Sequence, residues 1–191
     1  MEERLTVEQG RLLLRLARET ITEKLTGAGK GKADAGNMDQ ALLARGGTFV
    51  TLKIGDQLRG CIGNLEPVSS IYEGIRRNAL NAAFHDYRFS ALTEAELAKV
   101  HIEISILTRP LPLTYDDGAD LVARLRPGVD GVILQLGRNS ATFLPQVWEQ
   151  LPRAEEFLAH LCQKASLSPR AWMDSHPDVA TYQVQSFEEG A

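Results

Sequence analysis

The run Thr48-Phe49-Val50-Thr51-Leu52-Lys53-Ile54, then Gly55-Asp56, then Gln57-Leu58-Arg59-Gly60-Cys61-Ile62 sets two strand-forming segments around a pair of residues suited to a tight hairpin turn. It predicts two antiparallel strands. Downstream, Ser70-Ile71-Tyr72-Glu73 has the form of a capping box and opens a helix carried on through Ile75, Ala79, Ala82 and Ala83, whose small alanines allow close packing on a sheet. Thr93-Glu94-Ala95-Glu96 starts a short helix. Val100 to Leu107 alternates apolar and mostly polar positions with the period of a half-buried strand. Upstream, Thr6-Val7-Glu8-Gln9 caps a first helix with Leu14, Ala17, Ile21 and Leu25 on one stripe, ended by Gly27.

The second half continues in the same manner. Pro110 and Pro112 end regular pairing, and Ala119 to Leu125 reads as a short helix closed by Pro127-Gly128. Gly131–Leu136 and Ala141–Leu144 read as strands joined across residues 137–140. Phe157, Leu158, Leu161, Cys162 and Ala165 stripe a last helix, and Val179 to Phe187 adds a final strand. Hairpins outnumber strand-helix-strand alternation, so the expected class is α+β with a mainly antiparallel sheet. From 27 to 36 the chain is too poor in apolar residues to offset its ordering entropy and reads as a mobile loop. Its Gly27-Ala28-Gly29-Lys30-Gly31-Lys32 is not a phosphate-binding loop: a helix precedes it where a strand should, and Ala33 stands where Ser or Thr would hold magnesium.

A chain of 191 residues with 43% apolar and 24% charged residues can bury a core without staples. The short apolar runs and the start Met1-Glu2-Glu3-Arg4 predict a cytoplasmic protein without a membrane span or signal peptide. A formal charge of −4 argues against a nucleic-acid partner. Two widely separated cysteines, Cys61 and Cys162, cannot complete a zinc site, and no other motif supplies a full ligand set, so no metal or cofactor is expected.

Leu58-Arg59-Gly60-Cys61-Ile62-Gly63 carries the most distinctive chemistry. In a regular strand Arg59 and Cys61 share a face, where a guanidinium can stabilise a thiolate and make Cys61 a nucleophile. Gly60 would leave a gap on the opposite face and Gly63 would open room beside the sulfur, so both are candidate ligand-binding positions. Glu103, within His101-x-Glu103-x-Ser105, is a candidate proton carrier if its strand neighbours that of Cys61. Asp86 and Arg88 are candidate polar anchors after the second helix. The plainer alternatives are a buried cysteine, a solvated sheet face and a structural ion pair. Cys162, on the apolar stripe of the last helix, is assigned to the core.

The hexapeptide Leu58–Gly63 resembles the signature of the AMMECR domain at every position. The resemblance extends through Gly47–Leu52, Leu65-Glu66-Pro67, Ala82–Phe89, Ile102–Thr108, Asp130-Gly131-Val132, Phe143–Val147 and Phe157–Ala165, so it covers nearly the whole of 1–191 as a single domain. Tyr87 stands where the family commonly has proline, and Ser166 where it commonly has glycine. The resemblance implies an α+β fold with a larger lobe on an antiparallel sheet flanked by helices and a smaller second lobe, the signature lying near the cleft between them. Prokaryotic members resemble protein A of the AmmeMemoRadiSam system, which implies a Memo-like protein and a radical S-adenosylmethionine protein as partners. Two functions compete on these residues. One is an enzyme or enzyme component with Cys61 as nucleophile, Arg59 stabilising thiolate or substrate anion, and Glu103 carrying a proton. The other is a non-catalytic module that binds a small molecule or protein, with Arg59, Asp86 and Arg88 as anchors. Nucleic-acid regulation ranks last, opposed by the acidic charge.

Overall fold

The computed structural model describes residues 4–27 and 39–190. Two compact units divide the chain, Met1–Leu107 with Gln185–Ala191, and Thr108–Val184. Residues 28–36 of the expected loop lie outside the described residues.

In the first unit, α1 (Val7–Thr26) begins with the expected reciprocal cap between Thr6 and Gln9 and ends at Gly27 in the left-handed region, φ 69°. A short α2 (Gln40–Leu43), not expected from periodicity, follows. The hairpin forms as read: β1 (Gly47–Ile54) and β2 (Gln57–Asn64) pair antiparallel around Gly55-Asp56. Next come α3 (Ile71–Phe84), α4 (Glu94–Leu97) and β3 (Val100–Leu107). At the cap of α3, Ser70 Oγ accepts from the Glu73 N–H. The last strand, β8 (Val184–Glu188), completes a sheet of order β2-β1-β3-β8. Val50, Leu52, Ile102 and Ile104 are fully buried on one side of that sheet and belong to one cluster with Leu13, Ala17 and Ile21 of α1 and Ile75 and Ala79 of α3. Each such valine, leucine or isoleucine contributes about 1.5–3 kcal/mol by leaving water. The opposite side, with residues 49, 51, 53, 101, 103 and 105, carries most of the sheet's polar groups.

The second unit has its own core. β4 (Leu111–Pro112), β5 (Gly131–Leu136), β6 (Asn139–Phe143) and β7 (Asp178–Tyr182) form a sheet of order β4-β7-β5-β6. Val132, Leu134 and Val179 cluster with α5 (Gly118–Arg124), α6 (Ala154–Lys164) and α7 (Ala171–Asp174) through Leu121, Phe157, Leu161 and Trp172. Cys162 is fully buried there, as expected. Three readings change in detail. The prolines do not end pairing, since Leu111 and Pro112 pair with Thr181 and Ala180 at the sheet edge, where a missing N–H is tolerated. The turn after β5 needs only Gly137-Arg138, because Gly137 takes φ 62°. The single strand expected over 179–187 is two strands in two sheets, parted at Gln183, whose backbone bonds with Thr108.

Candidate functional site

The site grows from the outer edge of β2. In the β1–β2 pair, Thr51 faces Cys61 and Leu52 faces Gly60, but Lys53 faces Leu58. Arg59 is therefore the extra residue of a β-bulge, which breaks the alternation that would put its side chain beside that of Cys61. Its Nε donates to Glu96 Oε1 at 2.8 Å, and its Nη2 donates to Glu96 Oε2 at 3.2 Å and to the Ser90 carbonyl at 3.0 Å. Only 12% of the side chain is exposed. Arg59, first among the causes, holds the Glu96 carboxyl down at about 2, helped by the Thr93 N–H.

A different arginine attends Cys61. β2 is an edge strand, and Cys61 turns its peptide groups away from β1. The Cys61 N–H donates to Asp86 Oδ2 at 2.8 Å, while the Cys61 carbonyl accepts from Arg88 Nη2 at 3.1 Å. The two side chains thus occupy the places a neighbouring strand would fill. They are locked together: Asp86 Oδ1 accepts from the Arg88 Nε at 2.9 Å and its N–H at 3.2 Å, and Oδ2 accepts from Nη2 at 2.7 Å. The Asp86 side chain is 1% exposed, whereas that of Arg88 is 43% exposed. Hydrogen bonding from Arg88 above all, with the Cys61 and Arg88 N–H groups, holds the Asp86 carboxyl well below the usual carboxylate range against the opposing effect of burial. Arg88 is in turn held more strongly protonated, chiefly by its hydrogen bonding to Asp86, against the opposing effect of burial. Between the arginines lies Phe89, with the guanidinium carbons of Arg59 and Arg88 5.8 and 5.5 Å from its ring centre.

On the polar side of the sheet, the half-buried Cys61 sulfur accepts from Thr51 Oγ1 at 3.3 Å. Thr51 is also the register partner of Glu103, so Cys61, Thr51 and Glu103 form one row across three strands. Strand spacing puts the Glu103 backbone about 10 Å from that of Cys61. Glu103 Oε2 instead binds Lys53 Nζ at 2.9 Å and is the first cause of that ammonium's raised pKa.

The family model described as AMMECR1 matches residues 14–187. The chain belongs to the AMMECR1 family. It is similar to a protein of Methanopyrus kandleri, 38% identical with 99% of this chain and 92% of the relative covered. A protein of Methanothermobacter thermautotrophicus is 37% identical, with 97% and 96% covered. The crystal structure of an uncharacterised protein from Pyrococcus horikoshii superposes with a TM-score of 0.81 at 33% identity, covering 96% of this chain and 92% of that one. The α+β architecture expected from the hairpins is therefore shared with that solved structure.

Within this AMMECR1 chain, the sequence-derived candidates separate into two groups. Cys61, Asp86 and Arg88 come together. Arg59 turns to Glu96, and Glu103 to Lys53. Gly60 and Gly63 are small because protein already fills the space beside them: a Cβ on Gly60 would lie 2.2 Å from the Ala82 carbonyl oxygen of α3, and one on Gly63 2.2 Å from the Phe49 ring. Thr51, Phe89 and Glu96 were not among the candidates. Thr51 is found once the hairpin register is counted out from Gly55-Asp56, and Glu96 is hidden by its reading as a helix cap. No group of three or more His, Cys, Asp or Glu that could hold a metal ion occurs among the described residues. No helix among them is long and apolar enough to cross a membrane.

Proposed function

We propose that the chain is a cytoplasmic enzyme, or enzyme component, in which the Cys61 sulfur adds to the carbonyl carbon of a small substrate, the C–S bond forming as the C=O π pair moves onto oxygen and the thiol proton passes to water, with the substrate's anionic group anchored by Arg88. The observation that carries this reading is the Asp86–Arg88 clamp. It holds a half-exposed guanidinium on the carbonyl of the residue whose sulfur receives a hydrogen bond from Thr51. A fixed cation next to a hydrogen-bonded thiol provides orientation and charge in one place. Asp86 acts through Arg88 as a positioning residue, and Arg59 and Gly60 hold the strand that presents Cys61. Glu103, paired with Lys53 across the row, keeps the charged end of the sheet face away from the sulfur. Resemblance to protein A of the AmmeMemoRadiSam system supports action together with a Memo-like and a radical S-adenosylmethionine protein.

Alkylation with reagents of different charge tests this. Iodoacetate is an anion and iodoacetamide is not, so their rate ratio at Cys61 reads anion anchoring. Replacing Arg88 by Ala is expected to lower that ratio about tenfold, the value of one charge-assisted hydrogen bond, while Arg59→Ala leaves it unchanged. A ratio indifferent to Arg88, or a Cys61 no faster than Cys162, overturns the proposal. One observation favours the second reading, a non-catalytic binding module: both Glu96 and Glu103 are committed to cations, so neither is a free base for the sulfur. If so, Cys61→Ser retains both cellular function and capture of the Memo-like and radical proteins in a pull-down.

A further inference from the structure

The second unit contains a hollow of about 420 Å³ beside the β4-β7-β5 part of its sheet, within the size range of small-molecule sites. One wall is an aromatic pair. The exposed His176 ring stacks on the buried Tyr115 ring at 4.3 Å between centres and 10° between planes. His176 adopts φ 46°, a left-handed conformation that is strained for a non-glycine residue. Its Nε2 lies 3.2 Å from the Tyr115 carbonyl oxygen. A carbonyl only accepts, so Nε2 is the donor of that hydrogen bond.

The opposite polar wall accepts. Asp178 and Gln135 are register partners on β7 and β5, and both are exposed and line the hollow. Gln135 donates one of its two amide N–H groups to the Gly137 carbonyl at 3.3 Å, and its side-chain oxygen is an acceptor. Asp178 takes part in no ion pair among the described residues, and no Lys or Arg lines the hollow. The remaining lining is mostly apolar, with Leu113, Ile133 and Ala180, beside the single hydroxyl of Thr114. A carboxylate and further acceptors over an apolar floor, without a resident cation, select a positively charged donor on a short hydrocarbon body.

We propose that this hollow is a binding site for a small organic cation, a guanidinium or primary amine carried on a short apolar chain, with Asp178 as its counter-ion and His176 as a stacking wall. It is a second site, built from residues 112–180, and stands independently of the chemistry assigned to Cys61. Calorimetric titration of the full chain with butylguanidinium and with its neutral isostere butylurea tests it. Saturable one-to-one binding of butylguanidinium, at least about tenfold tighter than butylurea, is expected from a charge-assisted contact. Asp178→Asn should erase that preference. Gln135→Lys, which places a cation opposite Asp178, should do the same and decides the matter should Asp178→Asn fold poorly. An acetylated, amidated Gly-Arg-Gly peptide presents the same head group on a macromolecular backbone and should bind more weakly than butylguanidinium. Absence of saturable binding, equal affinity for the two isosteres, preference for the peptide, or a preference that survives both substitutions overturns the proposal.

Discussion

Asp86 satisfies four donors from within the protein, one of them the Cys61 N–H on the strand edge. Replacing it by Asn leaves Arg88 free to turn toward water, because that side chain is half-exposed, but weakens the hold on a peptide N–H. We expect Asp86→Asn to lose about 2 kcal/mol at pH 7 in urea denaturation. The sign of the pH dependence follows from the depressed carboxyl. Stability from Asp86 is fully present above the unfolded-state value of 3.8 and is lost as pH falls through the lower folded value. The gap between the two proteins should therefore stay constant from pH 7 to about pH 5 and shrink below about pH 4; a gap independent of pH would show that Asp86 is not ionised in the fold. Ser166 offers a change of opposite sign. It stands at φ 59° where α6 ends, with the Leu167 N–H bonded to the Cys162 carbonyl at 2.9 Å, the closure of a helix that glycine usually makes. Ser166→Gly removes about 1–2 kcal/mol of left-handed strain and adds about 0.4–1 kcal/mol of unfolded-chain entropy. The net expectation is a gain of about 0.5–1 kcal/mol, read as a raised urea midpoint in the second unit. The left-handed angle at Ser166 is one that glycine adopts without strain, as the glycine common here in the family the sequence resembles would.

At the scale of elements, the signature strand is shaped by how closely α3 approaches it. Gly60→Ala would drive a methyl into the Ala82 carbonyl, and backbone cannot yield as a side chain does. We expect a loss of about 3 kcal/mol and a lowered melting temperature by circular dichroism, with Cys61 more readily alkylated as the strand lifts. An unchanged melting temperature would mean that α3 and β2 are not in contact. The same contact explains what could be read in advance. The hairpin, α3 and β3 were legible because turn chemistry, caps and apolar period are local properties of Gly55-Asp56, Ser70–Glu73 and Val100–Leu107. The bulge at Arg59 was not, because nothing local marks it: it arises where Gly60 must meet α3 while Gln57 stays opposite Ile54 across the turn. One extra residue sent the guanidinium to Glu96 and left Arg88, from a different loop, on the Cys61 carbonyl. The strand break at Gln183 was hidden likewise, since the pattern from 179 to 187 is continuous and only tertiary pairing divides it. Period-2 patterning reports burial but not the sheet to which a strand belongs.

The molecule as a whole carries one natural probe in each unit. Cys61 lies half-buried in the first, and Cys162 lies fully buried in the second, where burial pushes its thiol pKa up. Both tryptophans, Trp148 and Trp172, belong to the second core, and Trp148 stacks on Phe157 at 3.8 Å. Phe157 also meets Phe143 edge-on at 5.2 Å, so it is the hub of that core. Truncating it to Ala is expected to cost about 3–5 kcal/mol, all of it in the second unit. Because each unit has a separate cluster of buried side chains, the first core loses no contact in this variant. In Phe157→Ala, tryptophan fluorescence and pulse alkylation of Cys162 should therefore shift together to lower urea, while the far-ultraviolet signal develops a second, unshifted step belonging to the first unit. Ile102→Ala, in the core of the first unit, should move that second step and leave Cys162 protected. A single transition that shifts equally for every probe in both variants would show instead that the two cores fold as one cooperative body, and Cys61 reactivity would then have to be read against the stability of the entire chain.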